Sequence, residues 1–140
     1  MIRYRKQTDG FSCGPLSLYN ILKKYGQKAD LHEISEAMYT DKDGTFSTDF
    51  ELAVRAWLPG RVSRQAPQPW EGSSSYIISV TDYEGESHLV SLVSSTPKAV
   101  YVANWYTKNN KFTHSWIRWE TILKYWDGYS LRILGEGDEQ

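Results

Sequence analysis

The chain reads as an α+β protein, with helices first and an antiparallel sheet after them. Three observations predict this order. Apolar residues in the N-terminal half recur at three- and four-residue intervals, those after Ser75 fall in β-branched and aromatic runs, and a polar Pro-, Gly- and Ser-rich stretch, Gln65 to Ser75, separates the two regions.

Leu16, Tyr19, Ile21, Leu22 and Tyr25 form a helical stripe that stops at Gly26, so a first helix opens at Cys13 or Gly14. Asp30 and Glu33 have capping-box spacing ahead of Leu31, Ile34, Ala37 and Met38, which predicts a short second helix ending near Tyr39. Asp41-Lys42-Asp43-Gly44 is a turn. Thr48 and Glu51 repeat the cap pattern before Phe50, Leu52, Ala53, Val54 and Trp57, and Pro59-Gly60 ends that third helix. Beyond the polar stretch, strands are expected over Tyr76 to Tyr83, His88 to Val93, Val100 to Tyr106 and Tyr129 to Leu134, with a short helix at Trp119 to Tyr125. A single domain over residues 1–134 is expected, and the acidic tail, 135–140, should fray.

Composition narrows the function. With 16 basic and 17 acidic residues, no strong field points to nucleic acid or an anionic membrane. One cysteine forms no internal disulfide and no multi-thiolate metal site. The charged N-terminus is followed by no apolar run, and no segment approaches the ~18 apolar residues of a membrane span, so a reducing, cytoplasmic setting is expected. The six tryptophans and ten tyrosines fit an aromatic core and surface better than a dedicated binding groove.

Cys13 stands where a helix begins, and unpaired N–H groups with the positive end of the helix dipole stabilise a thiolate there. A nucleophilic thiol also needs a base, and the base an orienting group. Of the three histidines, His32 sits among charged neighbours in the second helix as a solvated imidazole, and His114 has no evident orienting partner downstream. His88 begins a strand. A hairpin centred near Thr96 places it opposite Asn104, on a face shared with Val90, Leu92, Val100 and Val102. Cross-strand Cβ atoms lie about 5 Å apart, so the Asn104 amide is expected to fix the imidazole tautomer and leave the other nitrogen for the thiol. Cys13, His88 and a distant carboxylate are too sparse a ligand set for a metal, and no cofactor is expected.

Gln7-x5-Cys13-Gly14-Pro15, followed by Leu16-Ser17-Leu18-Tyr19-Asn20-Ile21-Leu22 and Tyr25-Gly26, resembles the N-terminal motif of papain-like cysteine peptidases, and more narrowly the C39-like group that includes double-glycine, bacteriocin-processing domains. Asp43-Gly44-Thr45 and the His88-Leu89-Val90 strand extend the likeness. The resemblance implies a papain-like fold, Cys13 as nucleophile, His88 as base, Gln7 as oxyanion donor and Asn104 in the orienting position, where that group usually carries Asp-Pro. It implies a peptide or protein substrate cleaved at an amide or isopeptide bond through a thioester. Two alternatives remain at this level: an NlpC- or CHAP-type peptidoglycan amidase or endopeptidase, and an inactive papain-like module that binds a peptide.

Overall fold

The computed structural model describes residues 2–109, 111–135 and 138. Among them, four helices and six strands follow in the order α1 (Cys13–Lys24), α2 (Leu31–Ala37), α3 (Ser47–Trp57), β1 (Val62–Arg64), β2 (Ser75–Thr81), β3 (Ser87–Ser95), β4 (Ala99–Tyr106), β5 (Phe112–Arg118), α4 (Trp119–Tyr125) and β6 (Trp126–Ile133). The strands form one six-stranded sheet, ordered β1-β6-β2-β3-β4-β5, in which every neighbouring pair is antiparallel. This is the α+β architecture expected from the sequence.

The helices cover the sheet because each buries an apolar stripe against it. α1 lies across β3, and its Leu18, Ile21 and Leu22 are buried with Ile34 and Met38 of the α2 region, Phe50 and Val54 of α3, and Ile77, Val93 and Leu131 from the sheet. Burying each such side chain stabilises the fold by about 1.5–3 kcal/mol. On the opposite face, Tyr76, Ile78, Val90, Leu92, Val100 and Val102 pack beneath Trp119 and Ile122 of α4. Trp57 packs, partly buried, on the first cluster and Trp70 on the second.

α1 ends as its Gly26 predicts. With φ of +70°, this residue turns the chain so that the Gln27 amide bonds Leu22 O (2.9 Å) and its own amide bonds Lys23 O (3.1 Å), satisfying carbonyls the helix leaves open. Asp30 caps α2 by accepting from the His32 amide at 2.8 Å. α3 starts earlier than the Thr48 cap predicts, because extended Phe46 supplies the carbonyl that accepts the Phe50 amide at 2.9 Å.

Two strands were not anticipated. β1 has three residues, and β5 is an edge strand whose residues are all partly or largely exposed, so neither shows a burial alternation. The Ser73-Ser74-Ser75 segment is an anchor: Ser74 and Ser75 are fully buried, and Ser75 Oγ bonds Lys24 Nζ and Tyr25 Oη at 2.8 Å each. Within the tail expected to fray, residues 136, 137, 139 and 140 lie outside the described residues, but Asp138 accepts from Ser74 Oγ at 2.5 Å and from the Gly135 amide at 3.2 Å.

The β3–β4 register differs from the expected one. The Thr96 amide bonds Ala99 O at 2.8 Å, so the turn is centred beyond Thr96, and the strands then pair Ser91 with Ala103 and Leu92 with Val102. Continued along the strands, this register sets His88 level with Tyr106 rather than Asn104.

Candidate active site

The loop before α1 is tied down by one carboxylate. Asp9 Oδ1 accepts from the Phe11 amide (2.9 Å), the Ser12 amide (2.7 Å) and the Ser12 hydroxyl (2.7 Å). Burial works against the ionised form, yet these bonds hold the Asp9 carboxyl below its ordinary range. The chain is thereby fixed as it enters α1, whose first residue is the half-buried Cys13. The next position is tightly packed: a Cβ on Gly14 would sit 3.0 Å from Thr45 Oγ1, in the loop that leads into α3, so Thr45 would have to give way.

His88 stands at the start of β3, where β3 and β4 have stopped pairing, with its ring centroid 5.3 Å from that of Tyr106 and 6.2 Å from Phe112. Its Nε2 lies 2.7 Å from Asp82 Oδ2. With Nε2 engaged by Asp82, Nδ1 is the ring nitrogen left for the Cys13 thiol. The bond to Cys13 raises the imidazole's pKa above its ordinary value, burial opposes this, and the bond to Asp82 adds to the rise.

No sequence motif marks Asp82. It opens the β2–β3 turn, where its Oδ1 accepts the Glu84 amide (2.8 Å) and the Glu86 amide (3.0 Å), and its own amide bonds Glu86 O (2.8 Å). Only 4% of its side chain is exposed, against 10% for His88. Burial pushes its carboxyl up, but the Glu86 amide, His88 and the Glu84 amide more than offset this and hold it below the usual carboxylate range. The available signal was the β2–β3 hairpin itself: pairing of Val80 with His88 brings the first turn residues back beside the histidine.

Asn104 is elsewhere engaged, which corrects the expected His88–Asn104 contact. The side chain is buried, with Oδ1 accepting the Gln7 amide (2.7 Å) and Nδ2 donating to Arg5 O (3.0 Å). The physical reason is the register described above, together with a break in the β4–β5 pairing where Asn104 adopts φ of +67°. Gln7 is 3% exposed and its Nε2 donates to Asp9 O at 2.8 Å, next to the loop that delivers Cys13. His32 pairs with Glu36 at 2.9 Å on the exposed surface of α2, as a solvated imidazole should. His114 bonds the Asn104 amide and Tyr4 O and lies outside the Cys13–His88 pair.

Two cavities meet at His88. One, of about 290 Å³, is walled by Val80, Val90, Trp105, Tyr106 and Tyr125, so Trp105 and Tyr106 line a cleft as well as packing. The other, of about 260 Å³, is bordered by Thr8, Asp9, Gly10, Glu84, Glu86 and Phe112. Among the described residues, Asp82, Glu86 and His88 present potential metal-ligand atoms within 4.8 Å of one another, but Asp82 and His88 already satisfy each other there. What the arrangement supplies chemically is a thiol at a helix start, an imidazole in contact with it, and a buried carboxylate behind the imidazole.

A family model described as the peptidase C39 family matches residues 1–134. The chain belongs to the peptidase C39 family. Solved structures show the same fold at low identity. The peptidase domain of Streptococcus ComA, a bifunctional ABC transporter involved in a quorum-sensing pathway, superposes with a TM-score of 0.69 at 17% identity, covering 94% of this chain and 96% of that one. A double glycine motif protease from an AMS/PCAT transporter, solved in complex with the leader peptide, gives 0.66 at 20% identity over 94% of this chain and 89% of its own. The Streptococcus mutans ComA peptidase domain gives 0.60 at 16% identity, with 90% and 93% covered. No curated protein sequence matches the chain. Membership in the C39 family makes this a cysteine peptidase fold of papain-like type. No helix among the described residues is long and apolar enough to cross a membrane.

Proposed function

We propose that the protein is a cysteine peptidase that cleaves a peptide amide bond through a thioester on Cys13, with His88 as base and acid and Asp82 as the orienting carboxylate. The observation that carries this reading is the His88 imidazole bonded to Asp82 Oδ2 at 2.7 Å, its pKa raised first of all by the Cys13 thiol. The carboxylate fixes the tautomer and favours the imidazolium, so the Cys13 proton moves to Nδ1 and leaves a thiolate at the positive end of α1. The thiolate adds to the scissile carbonyl carbon. The Gln7 side-chain N–H and the Cys13 backbone N–H stabilise the resulting oxyanion, and the C–N bond then breaks as Nδ1–H protonates the leaving amine. Water, deprotonated by the same nitrogen, releases the acyl group and restores the thiol.

The substrate is a peptide laid across His88 with an apolar side chain in the aromatic cleft. Because one structural neighbour is a double glycine motif protease bound to a leader peptide, the first probe is a fluorogenic peptide ending in Gly-Gly-aminomethylcoumarin. Wild type should release the fluorophore, whereas Cys13→Ala and His88→Ala should not. Iodoacetamide should alkylate Cys13 at pH 6 at least about tenfold faster in wild type than in His88→Ala. Equal alkylation rates at pH 6 would remove the activated thiol and leave a peptide-binding module as the better account.

A further inference from the structure

The N-terminal residues Tyr4 to Gln7 form no regular secondary structure, yet three side chains from three different elements grip their backbone. From α1, Asn20 accepts the Arg5 amide at 2.8 Å and donates to Arg5 O at 3.1 Å, pairing with the peptide as a neighbouring strand would. From β4, Asn104 donates to the same Arg5 O at 3.0 Å and accepts the Gln7 amide at 2.7 Å. From β5, His114 completes the grip. Its Nδ1 accepts the Asn104 amide at 3.1 Å, so Nε2 carries the proton and donates to Tyr4 O at 2.9 Å. Asn20 and Asn104 are both buried, so each would cost stability if its bonds went unmade. This buried polar apparatus ends at Gln7, whose amide is its last bonded group and whose Oε1 is buried with no protein partner.

We propose that Asn104, braced by His114, is a positioning residue for the oxyanion donor: it clamps the Tyr4–Gln7 strap so that the Gln7 side chain is held at the Cys13 end of α1. The proposal rests on Gln7 acting as the oxyanion donor, and it moves Asn104 from the imidazole to the strap that carries that donor. The bond pattern suits an asparagine and not an aspartate, since one position must accept the Gln7 amide while the other donates to a carbonyl. The left-handed φ of +67° is one that asparagine tolerates better than most residues and that glycine adopts freely.

A clamp on the oxyanion donor predicts a split between two reactions of the same thiol. Acylation of Cys13 by p-nitrophenyl acetate, in which the thiolate displaces p-nitrophenolate through a tetrahedral oxyanion, depends on the donor; alkylation by iodoacetamide, which displaces iodide at a saturated carbon, does not. Loss of one oxyanion donor costs ~10²–10³ in rate, and loosening it costs up to that amount. Asn104→Gly, which removes the amide without straining the backbone, should therefore slow acylation by about tenfold or more and change alkylation by less than about twofold. The double variant with Gln7→Ala should be no slower than Gln7→Ala alone. Asn104→Asp should also acylate slowly, because a carboxylate cannot donate to Arg5 O. Hydrogen exchange should rise at the Gln7 amide while α1 stays protected.

Wild-type acylation in Asn104→Gly, beside slow acylation in Gln7→Ala, would overturn the clamp and leave the oxyanion reading standing. So would wild-type acylation in Asn104→Asp, or a fall in alkylation that matches the fall in acylation, either of which would return Asn104 to the imidazole. Wild-type acylation in Gln7→Ala would overturn the oxyanion reading itself, and the clamp with it. If Asn104→Gly does not fold, His114→Ala tests the same split, and an unchanged ratio of acylation to alkylation in that variant overturns the proposal.

Discussion

Replacing Asp82 with asparagine probes the least expected feature of the site, and its effect follows from the turn that holds the residue. Oδ1 is committed to the Glu84 and Glu86 amides at 2.8 and 3.0 Å, so an asparagine at this position must keep its oxygen there and turn its NH₂ toward His88. An N–H donor then faces Nε2, which can answer only as an acceptor, and the imidazole proton is forced onto Nδ1, where it opposes uptake of the Cys13 proton. The electrostatic loss adds to the wrong tautomer. Charges about 4 Å apart at an effective dielectric constant of about 20 interact by about 4 kcal/mol, which is roughly three powers of ten in the imidazolium population. The expected fall in kcat/KM is therefore ~10²–10⁴, a range that also covers the effect of the corresponding change in serine peptidases. Steady-state release of aminomethylcoumarin at pH 7 measures it, and circular dichroism checks that the turn survives. An Asp82→Asn variant within about threefold of wild type would refute the role of Asp82 as orienting group.

Two further outcomes follow from the packing and the charges. The folded pKa of His88 is raised above 6.5 and that of Asp82 lowered below 3.8, so their joint contribution to stability is fully present between those two values. It is lost as pH rises through the folded value of His88 or falls through that of Asp82; the melting-temperature gap between wild type and His88→Ala should thus be widest near pH 5 and narrow toward pH 9, and a gap that widens with pH would contradict the ion pair. Ile21 is fully buried where α1 meets the sheet, so Ile21→Ala should cost about 2–5 kcal/mol in urea unfolding, whereas a loss below about 1 kcal/mol would mean that α1 does not organise the core.

The sequence carried the helical half of the fold well because its signals are local. Gly26 had to adopt positive φ to end α1, Asp30 had to cap α2, and the Gln7–Cys13 spacing belonged to a recognisable family motif. The choice of His88 among three histidines rested instead on a hairpin register that set it opposite Asn104. The role expected of Asn104 failed at a non-local step: it required the hairpin register to be right along the whole of β3 and β4. A turn centred one to two residues beyond Thr96 and a bulge between Leu92 and Ser94 were enough to move His88 from Asn104 to Tyr106. Asp82 was hidden for the opposite reason: it is close in sequence to His88, but the strand expected over Tyr76 to Tyr83 contains it, whereas β2 ends at Thr81 and leaves it in the turn. The hold of Asn104 and His114 on Tyr4 to Gln7 joins residues about a hundred positions apart, and no pattern within one segment announces such bonds.

The thioester on Cys13 can be caught by trapping the acyl-enzyme. The Gly-Gly-aminomethylcoumarin peptide is mixed with enzyme, quenched in acid within the first turnovers, and the intact protein and its Cys13 peptide are weighed by mass spectrometry. An added mass equal to the peptide's acyl portion should appear on Cys13, be released by hydroxylamine and be missing from Cys13→Ala. Turnover with no adduct, undiminished in Cys13→Ala, would contradict the thioester.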